Sequence, residues 1–250
     1  MPKKQKIRID QLLVKKGLAP SREKAVGLIM SGAVLVNDKP ATKAGQTVDE
    51  DANIRITGAE HPFVGRGGVK LAHALKEFGI DPAGKVCVDV GASTGGFSDC
   101  LLQGGAKKVY AIDVGYGQLD WKVRSDEKVV VIERTNIREL PDDLKKELAS
   151  QKIGIIVVDV SFISLTKVMP HLDPLISKGT DVVALIKPQF EVGRGSVGKG
   201  GIVRDESLRQ SAVDEVSGFA IGLGWARRGL CRSPITGADG NVEFLAWFVK

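Results

Sequence analysis

With 250 residues, 43% hydrophobic and 26% charged, the chain has an ordinary globular composition. That excludes disordered, collagen-like and coiled-coil classes and leaves room for one large domain or two smaller ones. The 36 Lys and Arg against 30 Asp and Glu give a net charge of +6, concentrated at one end, which suits a polyanionic partner because basic side chains that neutralise phosphates release condensed counterions.

Residues 1–24 carry that excess: Lys3, Lys4, Lys6, Arg8, Lys15, Lys16, Arg22 and Lys24 stand against Asp10 and Glu23. A solvated basic tail is the alternative reading. Ile9, Leu12, Leu13 and Lys16 recur at helical spacing over 7–17, and Gly17 stops the turn. Ser21 is suited to cap a second helix that turns Ala25, Leu28 and Ile29 inward and ends at Gly32. Residues 33–36 and 54–56 read as short strands, with a turn at Asn37-Asp38. The result is a small unit over 1–60. Residues 61–68, rich in Gly with one Pro, then read as a connector.

Ser21, Arg22, Ala25, Ile29, Gly32, Val34, Val36 and Asn37 follow the pattern SR-x-x-A…I-x-x-G-x-V-x-VN. In this the segment resembles the S-four type RNA-binding module. The resemblance implies an α+β fold and structured RNA as partner, with Lys6, Arg8, Arg22 and Lys24 as contacts.

From residue 69 the character changes. The apolar, β-branched runs at 85–90, 108–113, 129–133, 153–159 and 181–187 suit a parallel sheet covered on both faces. Helices are expected between them around 97–103, 141–149 and 164–177, with a longer one at 206–222, and late strands at 226–231 and 243–249. The alternation predicts a doubly wound, Rossmann-like α/β domain over 69–250, whose ligands bind beyond the carboxyl ends of the strands. Cys87, Cys100 and Cys231 form no Cys-x-x-Cys pair, and Trp121, Trp225 and Trp247 are expected to pack in the core.

The most informative loop runs Asp89-Val90-Gly91-Ala92-Ser93-Thr94-Gly95-Gly96-Phe97, from a strand into a helix. Glycine serves there for positive φ or for close approach to a ligand. Asp113 ends the next strand about twenty residues on, where a ribose is expected. The spacing G-x-x-x-G-G is neither the dinucleotide fingerprint nor a phosphate loop, so an adenosine-bearing cofactor without pyrophosphate fits better.

Residues 89–102 resemble the S-adenosyl-L-methionine loop of FtsJ-type ribose methyltransferases. That family's Lys-Asp-Lys-Glu tetrad falls on Lys70, Asp159, Lys187 and Glu243, in order around the loop. With the N-terminal module, the likeness extends over nearly the whole chain and points to the TlyA family. These proteins are often labelled hemolysins but are understood as 2′-O-methyltransferases of cytidine in ribosomal RNA. The resemblance implies S-adenosyl-L-methionine as cofactor, held by Asp89, Gly91, Ala92, Ser93, Gly95, Gly96, Phe97, Asp113, Asn136 and Asp159. It implies ribosomal RNA or a ribosomal subunit as partner, with Arg66, Arg194 and Lys199 as further contacts.

A ribose 2′-hydroxyl must lose its proton as it attacks a sulfonium methyl. Lys187 is the expected base, provided burial and the neighbouring Lys70 lower its pKa. Asp159 and Glu243 would orient the ammonium groups. The [DN]-P-P-[YFW] run of amino-nitrogen methylation is missing at 159–162, and the cysteines sit too deep for carbon-5 chemistry. His61, His73 and His171 lack ligand spacing, so no metal is expected. The Gly-rich, charged segment 188–205 is expected to close over the target nucleotide, with surface disorder as the competing reading. A non-catalytic RNA-binding or ribosome-assembly protein is the alternative, and a membrane-active cytolysin a remoter one. The longest apolar runs fall far below the ~18–20 residues of a membrane helix. Odd, unpaired cysteines and the lack of a leader fit the cytosol, and a monomer or weak dimer is expected.

Overall fold

The computed structural model describes residues 6–30, 32–56, 61–198, 200–237 and 240–250. The chain falls into two compact units, residues 1–66 and 67–250, each with its own hydrophobic core.

In the first unit, β1 (Lys6–Arg8) leads directly into α1 (Ile9–Lys15) and α2 (Arg22–Met30), then β2 (Val34–Val36), β3 (Lys39–Pro40), β4 (Thr47–Asp49) and β5 (Ile54–Ile56). The helix expected from residue 7 starts later, because Ile7 and Arg8 pair antiparallel with Val48 and Thr47. Of its periodic residues, Ile9, Leu12 and Leu13 are buried and Lys16 is exposed. The Lys24 amide donates to Ser21 Oγ at 3.3 Å and so caps α2, which sends Ala25 and Ile29 into the core. Asn37 and Asp38 take φ of 50° and 61°, the left-handed pair that matches the twist of a two-residue hairpin between β2 and β3.

The second unit runs α3 (Gly67–Phe78), β6 (Val86–Val90), α4 (Gly96–Gln103), β7 (Lys108–Ile112), α5 (Trp121–Arg124), β8 (Val129–Ile132), α6 (Asp142–Ser150) and β9 (Ile153–Val158). It continues with α7 (Met169–Leu172), β10 (Asp181–Ile186), α8 (Pro188–Glu191), α9 (Glu206–Gly222), β11 (Ala226–Arg232) and β12 (Phe244–Val249). Among the described residues, seven of these strands form one sheet in the order β8-β7-β6-β9-β10-β12-β11. β12 is antiparallel to both neighbours, and the remaining pairs are parallel. The expected doubly wound, mostly parallel α/β sheet is therefore present. Strand order reverses between β6 and β9, the point at which such sheets bind ligands.

Three further expectations differ from the structure. The connector was read through residue 68, but α3 already begins at Gly67, and its buried Leu71, Ala74 and Leu75 carry a helical stripe hidden behind two glycines. The single helix expected over 164–177 is broken into short turns around α7, because Pro170 and Pro174 cannot continue an α-helix. Trp225 is buried as expected and Trp247 stacks on Phe78 with ring centroids 5.8 Å apart, whereas Trp121 is 69% exposed at the start of α5.

Candidate active site

β6 and β9 end side by side, with Val90 level with Val158, and the loops leaving them open a cavity of about 470 Å³. That volume is in the range of a small-molecule site. Gly91, Ser93, Asp113, Asn136, Asp159 and Phe162 line it together with apolar Ile112, Ile137 and Val168.

The loop after β6 is fixed by packing. Gly91 takes φ +86°, and a Cβ there would overlap the carbonyl oxygen of Asp159. The glycine therefore answers to the approach of the neighbouring strand end. Gly95, at φ +91°, would place a Cβ 2.9 Å from Leu119 Cδ1. The Ser93 amide donates to Asp113 Oδ2 at 2.8 Å and the Gly115 amide to its Oδ1 at 2.6 Å, so Asp113 ties two loops together at the cavity wall. Asp89 is fully buried. Its Oδ2 accepts the Ser98 hydroxyl at 2.7 Å, and its Oδ1 has no partner among the described residues. Burial pushes this carboxyl up to about 7, with the Ser98 hydrogen bond opposing and the nearby Asp159 adding to the shift.

The four charged positions come together beside the cavity. Lys187 Nζ lies 2.6 Å from Asp159 Oδ1 and donates to Ser161 Oγ at 2.8 Å. Lys70 Nζ donates to Glu243 Oε2 at 2.5 Å, with both side chains buried. Sheet register explains why these pairs are neighbours. Ile186 of β10 faces Phe244 of β12, so Lys187 and Glu243, one residue beyond, leave the sheet next to each other. Ala184 is level with Val158, which brings Asp159 to the same end. Gly67, one turn before Lys70 in α3, would place a Cβ 3.9 Å from Asp159 Oδ2. A buried pair of this kind holds geometry more than it adds stability.

Of the residues proposed to touch a cofactor, Gly91, Ser93, Asp113, Asn136 and Asp159 line the cavity. Asp89, Ala92, Gly95, Gly96 and Phe97 are buried and do not line it. Ser161 and Phe162 were not expected. Phe162 lines the cavity, is 91% exposed, takes φ +65° and lies 5.2 Å from the Phe190 ring; nothing in its sequence context signals this. The thiols are poor nucleophiles: burial pushes Cys87 and Cys100 up to about 12 and Cys231 to about 11. Cys231 lies within β11 and is half-buried.

The described ends of segment 188–205 are fastened by side chains. The Glu191 carboxylate accepts the Ser164 hydroxyl at 2.6 Å and the Leu165 amide at 3.0 Å, and burial raises its pKa. At the other end, buried Asn241 accepts the Val203 amide at 2.9 Å and donates to the Gly201 carbonyl at 2.8 Å. Arg194 opens a short turn over Arg194–Ser196, while Lys199 lies outside the described residues. In the first unit, Lys6, Arg8, Arg22 and Lys24 are exposed or half-exposed, and Arg66 closes that unit. No group of three metal-ligating side chains occurs among the described residues. No described helix is long and apolar enough to cross a membrane.

Comparison with known proteins agrees with this layout. A family described as FtsJ-like methyltransferase matches residues 63–250, and the S4 domain matches residues 7–54. The 16S/23S rRNA (cytidine-2′-O)-methyltransferase TlyA of Mycobacterium tuberculosis is 47% identical over 241 residues, covering 96% of this chain and 88% of that protein. A solved structure from Streptococcus thermophilus, provisionally described as a hemolysin, is 40% identical with a TM-score of 0.76 over 99% of this chain and 89% of that one. A solved structure from Listeria monocytogenes, provisionally described as an S-adenosylmethionine dependent methyltransferase, shares the fold, at 14% identity and a TM-score of 0.52 over 74% of this chain and 98% of that one.

Proposed function

The chain belongs to the FtsJ-like methyltransferase family, and from that premise we propose that it methylates the ribose 2′-oxygen of a cytidine in ribosomal RNA, using S-adenosyl-L-methionine. The observation that carries this reading is the Lys187 amino group, held by Asp159 and Ser161 beside a cavity at the sheet's switch point.

The cavity suits the cofactor. Asp113 closes the wall after β7 where a ribose diol would lie. Ile112, Val114 and Ile137 give an apolar slot for a purine, and Asn136 adds an amide within it. When bound, S-adenosyl-L-methionine supplies a methyl group made electrophilic by its sulfonium. Everything else falls to the chain. Lys187, acting as the neutral amine, takes the proton from the 2′-hydroxyl as the oxygen attacks, and Asp159 stabilises the ammonium that results. Lys70, oriented by Glu243, brings a second positive charge toward the nucleotide's phosphate. Exposed Phe162 offers an aromatic face to the nucleobase turned out beside the cavity. In-line alignment of oxygen, methyl and sulfur supplies much of the acceleration.

The test pairs two readouts on one variant. Lys187→Ala is expected to abolish methyl transfer while calorimetric affinity for S-adenosyl-L-methionine stays within a few-fold of wild type. Retained transfer removes Lys187 from the base role, and absent cofactor binding by the wild type favours a non-catalytic RNA-binding protein.

A further inference from the structure

The first unit buries a carboxylate beneath two of its own arginines. Asp10 is 1% exposed, yet Arg8 grips it in a two-pronged contact, Nε to Oδ1 at 3.0 Å and Nη2 to Oδ2 at 2.9 Å. Arg22 Nη2 reaches the same Oδ2 at 2.9 Å, and the Gln11 amide takes the other oxygen at 2.9 Å. Gly45 lies beside the pair: a Cβ there would meet Cζ, Nη1 and Nη2 of Arg8, all at 3.5 Å, an ordinary packing contact on the guanidinium. The arginines nevertheless keep side-chain exposures of 45% and 57%. No hydrogen bond engages Arg8 Nη1, or Arg22 Nε and Nη1, among the described residues.

An acidic group is an odd thing to place under a surface meant for RNA, since it removes one positive charge from that surface. What it adds is geometry. A guanidinium is a rigid planar fork, and an arginine fixed on one edge presents its remaining donors in a set direction with its rotamer entropy already lost. Two such forks hinged on one carboxylate converge from β1 and α2, with a net charge of +1.

We propose that Asp10 is a positioning residue that sets Arg8 and Arg22 as a paired-guanidinium cradle for a phosphodiester of the RNA backbone. The proposal rests on the reading of the basic end as an RNA grip and specifies how that grip is built. Its hydrogen bond from Arg8 holds the Asp10 carboxyl down at about 2, so the cradle stays assembled throughout the neutral range.

Charge and geometry predict opposite outcomes for Asp10→Asn. By charge alone the variant gains one positive charge and binds RNA more tightly. By positioning, its affinity for unmodified ribosomal RNA falls about ten-fold, as expected on losing charge-assisted contacts, and the KM for RNA rises while kcat holds. Asp10 is buried, so a second pair keeps the test independent of folding at that site. Arg8→Lys and Arg22→Lys change exposed side chains at constant net charge, and each is expected to lose a comparable factor. The proposal is overturned if both lysine variants bind like wild type. If the double variant Arg8→Ala/Arg22→Ala also binds like wild type, the RNA-grip reading fails with it; if that variant binds weakly, only the positioning role is lost.

Discussion

Asp89 sits sealed in β6 with one oxygen unpaired among the described residues and a carboxyl pushed up to about 7 by burial, well above the ordinary value of ~4. The folded state therefore holds a proton that the unfolded chain releases at about pH 4. Stability is fully present below that point and is lost as pH rises through about 7. Asp89→Asn is expected to flatten this dependence in thermal melts from pH 5 to 8; an unchanged slope in the variant would place the titration elsewhere. Gly91 is a second residue with a definite consequence. Alanine there would be forced into the left-handed region and against the Asp159 carbonyl, at about 1–3 kcal/mol. Because the displaced residue holds Lys187, Gly91→Ala is expected to lower kcat along with the melting temperature, and a variant that loses stability alone would uncouple the two. The charged positions could be picked out from sequence through the family tetrad they match; Asp159, Lys187 and Glu243 also sit at strand ends, whereas Lys70 sits in the first turn of α3. Ser161 and Phe162 could not be, since a hydroxyl or a ring on a loop acquires meaning only through the cavity beside it.

At the scale of elements, hydrophobic period and turn chemistry carried most of the architecture. The parallel strands announced themselves as short β-branched runs, and in the first unit Ser21, Gly17 and Asn37-Asp38 marked a cap and turns correctly. Failures followed the glycines and prolines. Two glycines disguised the start of α3, which carries Lys70, and two prolines split the segment around α7 into turns. The segment 188–205 reads as irregular because its described ends are anchored by side chains distant in sequence, Ser164 and Asn241. That fastening is testable. Asn241→Ala leaves the Val203 amide and Gly201 carbonyl without their bonds, at about 1–3 kcal/mol, and is expected to increase hydrogen exchange or proteolysis selectively within 188–205. Uniform protection across the segment in the variant would show that other contacts hold it.

The whole molecule joins an S4 domain to an FtsJ-like methyltransferase unit, and the division of labour follows from where charge and cavity lie. Deleting residues 1–60 removes the most basic stretch of the sequence. It is expected to weaken RNA binding and to reduce the slope of affinity against salt, since fewer counterions are released, while cofactor affinity at the sheet's switch point is retained. An undiminished slope would move the RNA grip to the second unit. The claim most central to the account is the chemistry itself, and nucleoside analysis of ribosomal RNA incubated with the protein and labelled S-adenosyl-L-methionine tests it most directly. The account predicts label in 2′-O-methylcytidine with the wild type and none with Lys187→Ala; label on a nucleobase, or equal 2′-O-labelling by the variant, would contradict it.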